Sequence, residues 1–191
     1  MSVTDRQCDP NTLQQIVARV SASEDDEALV VLDQALAEWP EDARLRFLRG
    51  SIQAQSAQYD IAMKDFETAV TLDPEFDIAR FQLGLLHLTS GRPGRALRVW
   101  ERLDRLDDTD CLKLFKTGLA YLIDDRFEDC VRLLQAGISN NSQFPPLNRD
   151  MQMVIDRLHA HHAVVSESEV KSEDPSMHVL LSGYLHSKTK H

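Results

Sequence analysis

Apolar and small residues recur along this chain at helical spacing, and the pattern itself repeats every 34 residues. Gly50, Gly84 and Gly118 mark one register, and Ala28, Ala62 and Ala96 mark another, with Cys130 next in line. A large apolar residue follows each of the latter by four: Leu32, Phe66, Trp100, Leu134. Pro40 and Pro74 keep the same interval. A fixed period of this length is the mark of one helix-turn-helix unit stacked several times.

The polar-apolar pattern predicts helices over 43–57 and 60–72 in the best-formed unit. Two further units follow at 77–107 and 111–141, the third with Gly91 at its turn and the fourth with Gly137 where the first two units have alanine. The opening unit is degenerate, with a short helix over 11–20 and a second over 24–38 that Ser23 is placed to cap. Gly50 costs roughly 1 kcal/mol of helix propensity, which close approach of a neighbouring helix would justify. Pro74 ends its helix because it lacks an amide hydrogen and restricts the residue before it. After Pro145-Pro146, residues 147–161 predict one more helix, apolar at Met151, Val154, Ile155 and Leu158, to cap the end of the array.

These registers resemble the tetratricopeptide repeat family, whose pattern runs L-G-x2-Y, A-x3-F and then P. The likeness spans about Ala28 to Asn141. It departs from the pattern in lacking the usual first-helix tryptophan, in carrying Pro93 where an aromatic is common, and in having no proline in the fourth unit before Pro145. The resemblance implies an all-α, right-handed α-α superhelix. It would hold three full repeats, a degenerate N-terminal repeat and a capping helix over 1–161.

A second apolar stripe asks for its own explanation. Phe47, Phe81 and Phe115 recur at the same interval, followed one turn later by Ser51, Leu85 and Leu119, then by Ala54, Leu88 and Leu122. The i, i+4, i+7 spacing sets each triplet on one helix face. The family's first helices line a concave side, so this stripe is expected to form an apolar groove that binds a protein segment. Relatives that grip acidic C-terminal tails use lysine, asparagine and arginine there. Phenylalanine, leucine and serine at these positions imply an apolar or amphipathic helical ligand instead.

A candidate ligand lies in the same chain. Residues 162–175 have an acidic linker composition, and the segment 176–191 carries Met177, Leu180, Leu181, Tyr184 and Leu185 at the spacing of an amphipathic helix. A helix this short needs a docking surface. The groove of its own chain is the expected seat, with the outside of the array or a separate partner as the alternatives, and exchange of tails between copies would give a homodimer.

Composition narrows the function. The 191 residues carry a net charge of -10 and a sequence pI near 5.1, which opposes general affinity for nucleic acid or anionic lipid. Cys8, Cys111 and Cys130 form no CxxC pair and read as reduced thiols. No stretch approaches membrane-spanning length or forms a signal peptide, and a cytoplasmic location is expected. His159, His161, His162, His178 and His186 lack the carboxylate-supported i, i+4 spacing of a helical metal site. Arg95, Arg98, Arg102 and Arg105 form a row interleaved with Glu101, Asp104, Asp107 and Asp108, read as a charged outer face. No catalytic constellation, nucleotide motif or cofactor signature appears, so no enzyme is expected. The expected function is a non-catalytic adaptor or scaffold. The alternative is a dedicated chaperone for one hydrophobic client, like the small acidic chaperones of type III secretion translocators.

Overall fold

The computed structural model describes residues 7–168. They form helices α1 (Pro10–Ala22), α2 (Asp25–Glu38), α3 (Ala43–Gln55), α4 (Tyr59–Leu72), α5 (Asp77–Thr89), α6 (Pro93–Trp100), α7 (Cys111–Ile123), α8 (Phe127–Asn140) and α9 (Pro145–Ser168), with a 3-10 segment, Glu101–Arg105, continuing α6. No strand occurs among the described residues. The chain divides into two compact units, residues 1–86 and 87–191.

Local chemistry fixes the helix starts. Asp9 caps α1 by accepting from the amides of Asn11 and Thr12 at 2.9 and 3.1 Å, and Pro10 follows in the first turn, where its missing N–H costs nothing. Asp110 does the same for α7 through Leu112 and Lys113. Ser23 does not cap α2, as its position suggests; its hydroxyl donates to the carbonyl of Arg19 at 2.9 Å and finishes α1. Glu24 takes the cap position of α2, followed by Asp25, Asp26 and Glu27, which favour the positive end of the helix dipole.

The three full hairpins share one turn. Ala57, Gly91 and Asp125, spaced by the repeat interval, all adopt left-handed backbone with φ of 60°, 71° and 58°. Each turn carries the same pair of bonds. The next residue's amide reaches five residues back, from Gln58 to Gln53, Arg92 to His87 and Arg126 to Tyr121, at 2.8–2.9 Å. The left-handed residue's own amide meets the carbonyl three back. This is a Schellman closure, and it turns each first helix into its second with the same geometry.

In the first unit, a core of Ile16, Ala28, Val31, Leu32, Ala35, Leu36, Leu45 and Ile52 joins α1, α2 and α3, and it also takes in Cys8 from ahead of α1. A second cluster packs Ala43, Ala69 and Ala79 of α3, α4 and α5 around Phe47 and Phe76. A Cβ on Gly50 would stand 2.9 Å from the Phe66 ring and 3.2 Å from the Ala62 carbonyl, which is why that position is bare. In the second unit, α7 and α8 meet just as closely. A Cβ on Gly118 would lie 3.0 Å from Leu134, and one on Gly137 only 2.5 Å from Phe115.

Two departures from regularity have visible correlates. Ala35, Ala69 and Gly137 hold one register, and in the remaining unit Leu103 occupies it, fully buried; there the helix tightens from α to 3-10. The fourth unit lacks a helix-ending proline, and Asn141 takes over. Its side chain donates to Phe144 O and Asn148 Oδ1 at 2.7 and 2.8 Å and accepts from the Phe144 amide at 2.8 Å, setting the turn into α9. The expected end of that helix at 161 is too early, since α9 runs to Ser168. Part of the expected linker over 162–175 is therefore helical. The remainder of it, and the tail 176–191 with Met177, Leu180, Leu181, Tyr184 and Leu185, lie outside the described residues.

Candidate interaction surfaces

The phenylalanine ladder does not line an open groove. Phe81 and Phe115 are both 0% exposed, and Leu88, Leu119 and Leu122 are buried with them. Phe47 is half-buried, its ring centroid 5.7 Å from Phe66 and 5.2 Å from Phe76. The stripe is real, but it turns inward. Small partners make room for it: Ala69 and Ala79 beside Phe47, Gly137 beside Phe115. Of the expected groove residues, Ser51, Ala54 and Leu85 join Phe47 in keeping partial exposure, and the Ser51 hydroxyl is occupied by the Phe47 carbonyl at 2.8 Å. A rotation of roughly one residue about the helix axis, 100°, separates a groove-facing stripe from an inward one, and periodicity alone does not set it.

Arginine replaces the missing first-helix tryptophan. Arg46 and Arg80, one period apart, reach back to the carbonyls of Pro40 and Pro74 at 3.2 and 2.9 Å, tying each hairpin to the loop before it. Arg49 forms a two-pronged pair with the buried Asp65, both bonds 2.7 Å, and a third bond to Asp33 at 2.6 Å. The hydrogen bond with Asp65 outweighs burial and raises the Arg49 pKa above its ordinary value.

A second charged knot fastens the segment ahead of α1. Asp42, fully buried, accepts from the Cys8 amide at 3.0 Å and the Cys8 thiol at 3.3 Å, while Arg44 bonds both Asp42 oxygens and the Cys8 carbonyl. Burial works to raise the Asp42 pKa, but the bonds from Arg44 and Cys8 prevail and hold it below the ordinary carboxylate value. Burial, then the bond to Asp42, pushes the Cys8 thiol up to about 11. It is a packed hydrogen-bond donor, not a nucleophile.

Concavity lies elsewhere. Between α8 and α9 a groove of about 360 Å³ is lined by Phe127, Glu128, Val131, Arg132, Gln135, Leu158 and His159. Phe127, Val131 and Leu158 give it an apolar floor. Glu128, Arg132, Gln135 and His159 are exposed and form a polar rim. The sequence reading missed it because α9 was expected to cover the last apolar surface. The available signal was the i, i+4 pair Phe127 and Val131.

With the hairpins, their shared closures and these surfaces in place, the molecule is an α-helical repeat scaffold. A model of the tetratricopeptide repeat matches residues 54–110. Anaphase-promoting complex subunit 7 of Arabidopsis thaliana is 30% identical over 152 residues, which is 78% of this chain and 25% of that protein. The chain thus spans about a quarter of that relative's length. Solved structures of MamA share the fold. One aligns with TM-score 0.54 at 17% identity over 69% of this chain and 80% of its own. Another, from Desulfovibrio magneticus, aligns with TM-score 0.54 at 20% identity over 86% and 94%. The chain belongs to the tetratricopeptide repeat family, a class of protein-interaction scaffolds. Among the described residues no helix is long and apolar enough to cross a membrane.

Proposed function

We propose that this protein is a non-catalytic cytoplasmic adaptor that seats an apolar or amphipathic helical segment of a protein partner in the groove between α8 and α9. The carrying observation is that groove's apolar floor, Phe127, Val131 and Leu158, set within a polar rim. A surface of this kind satisfies a helix that cannot bury its own apolar face. The exposed large apolar residues Val17, Val30, Ile61 and Leu97 lie on four different helices. Isolated exposures of that sort are ordinary, so an adaptor fits better than a chaperone that coats a long hydrophobic client.

The segment 176–191 is the in-cis occupant under this reading. Ten helical residues separate Leu158 from Ser168, about 15 Å. Residues 169–176 can span about 26 Å when extended, so Met177–Leu185 can return to the groove. A tether of this length gives an effective concentration near ~1 mM, and a short helix held that way is displaceable by a partner. Binding of a labelled 176–191 peptide, followed by fluorescence anisotropy, tests the idea on a chain ending at Ser168. The truncated chain should bind, the full chain should bind several-fold more weakly, and Val131→Asp in the truncated chain should remove binding. No binding to the truncated chain, or binding that Val131→Asp leaves unchanged, refutes the groove as the seat.

A further inference from the structure

We infer that Asp42 and Arg44 form a second, independent docking site for an extended peptide of a partner protein, occupied at rest by this chain's own Cys8. The site reads one residue at three points. The Cys8 amide donates to Asp42 Oδ2 at 3.0 Å, and its carbonyl accepts from Arg44 Nη2 at 2.7 Å. Its thiol donates to the same Asp42 oxygen at 3.3 Å, and the residue is 3% exposed within the cluster of α1, α2 and α3. An amide and a carbonyl belong to every residue except proline, so the first two bonds hold backbone, not a sequence. The side-chain seat sets the selection, because a close-packed core admits a cysteine-sized group and resists a larger one.

The grip stands without its occupant. Asp42 Oδ1 accepts from the Arg44 amide and from Arg44 Nε, both at 3.0 Å, at the start of α3. Arg44 Nη2 also bonds Asp42 Oδ2 at 2.6 Å, so carboxylate and guanidinium fix one another. None of these three bonds involves Cys8. Asp42 is 0% exposed, and a buried carboxylate oxygen stripped of its donors is costly to leave unfilled. That cost favours a replacement peptide over an empty site.

The occupant is shallowly attached. Gln7, Asp9 and Pro10 are all exposed, so among these residues Cys8 alone is lodged. Nor does α1 depend on it: Asp9 caps the helix through Asn11 and Thr12, and the Asp9 carbonyl accepts from the Leu13 amide at 2.9 Å. Cys8 can therefore leave the cluster while α1 stays wound. A second copy of the chain offers only the same contacts and adds the cost of association, so exchange between copies gains nothing. The replacement is a segment of another protein, extended, with a small hydrogen-bond-donating residue, cysteine or serine, at the central position.

The test keeps the full chain. Cys8→Asp sets a second carboxylate against Asp42 and drives its own segment out of the cluster. A fluorescein-labelled peptide of residues 3–10 is titrated into this variant and into the parent, followed by anisotropy. The variant should bind it at least ten-fold more tightly than the parent, whose own Cys8 competes at the high effective concentration of a short tether. A peptide N-methylated at the Cys8 amide lacks the donor to Asp42 and should bind the variant about ten-fold more weakly. A peptide carrying Cys8→Phe should not bind. No binding by the variant, or equal binding by either altered peptide, overturns the inference. So does loss of the helical circular dichroism signal in Cys8→Asp, since Cys8 would then be part of the core and not a replaceable occupant. A dimer of the parent that Cys8→Asp abolishes overturns it too, because the site would then serve exchange between copies. Adding Val131→Asp, in the α8–α9 groove, should leave peptide binding unchanged, so failure here and failure of that groove are separately visible.

Discussion

Gly137→Ala puts the close approach of α7 and α8 to a quantitative test. Alanine is the better helix former by about 1 kcal/mol, so an exposed glycine in mid-helix would gain from the change. At position 137 the new Cβ would stand 2.5 Å from both Cδ1 and Cε1 of Phe115, about 1 Å inside a comfortable carbon contact. The ring has nowhere to retreat, being 0% exposed. Overpacking of this kind costs about 1–3 kcal/mol, and two ring atoms in conflict favour the upper half of that range. The net expectation is a loss of about 1–2 kcal/mol, seen as a lower urea midpoint at unchanged slope and a Tm lower by about 2–8 °C. Phe115→Leu should recover much of that loss in the Gly137→Ala background, although alone it removes buried surface. Gly94→Ala is the internal control, because its Cβ meets only the distant tip of Arg98, and it should raise stability by about 0.5–1 kcal/mol. A stabilised Gly137→Ala, or additive effects in the Phe115 double variant, would refute the packing argument.

Ala57 carries a left-handed φ of 60°, so Ala57→Gly should stabilise by about 1 kcal/mol in urea titration, despite glycine's greater unfolded-state freedom. Asp42 has a depressed folded pKa. Its contribution is therefore complete above the unfolded value of about 3.9 and is lost as pH falls from there through the folded value. Asp42→Asn should cost about 2 kcal/mol at pH 7 and flatten the stability-pH curve below about pH 4, as measured by acid titration of circular dichroism. Burial raises the pKa of all three cysteines, to about 11 for Cys8 and about 12 for Cys130. A thiol reagent at pH 7.5 should label the native chain at least 100-fold more slowly than the guanidinium-unfolded chain; rapid native labelling identified by mass spectrometry would contradict the burial.

The repeat architecture was legible because it is written redundantly. Gly50, Ala62 and Phe66 each state the same contact, and losing one member of a register leaves the others readable. The hairpin closure was not, since Ala57, Gly91 and Asp125 share a backbone conformation and not a residue type; only the glycine announces it. The role of Arg46 and Arg80 was hidden for a related reason, because they substitute for tryptophan by a different chemistry, bonding a carbonyl where the ring would pack. The ladder of Phe47, Phe81 and Phe115 shows the opposite limit. Its period was plain, but whether a ring looks out or in depends on the partner's bulk, here Gly137 and Ala69, and that partner stands in another helix. The α8–α9 groove required knowing how far α9 leaves α8 uncovered, which is a matter of helix placement.

Stacked hairpins carry a hazard: an uncovered end presents the same apolar seat that a further hairpin would fill, so molecules can add to one another in rows. The short stretch ahead of α1 is held against this chain's own core instead. Cys8 lodges in the apolar cluster of α1, α2 and α3 while its amide, thiol and carbonyl are all taken by Asp42 and Arg44, so the stretch is latched to the start of α3. Loosening that latch would bare part of the apolar cluster that α1, α2 and α3 now share.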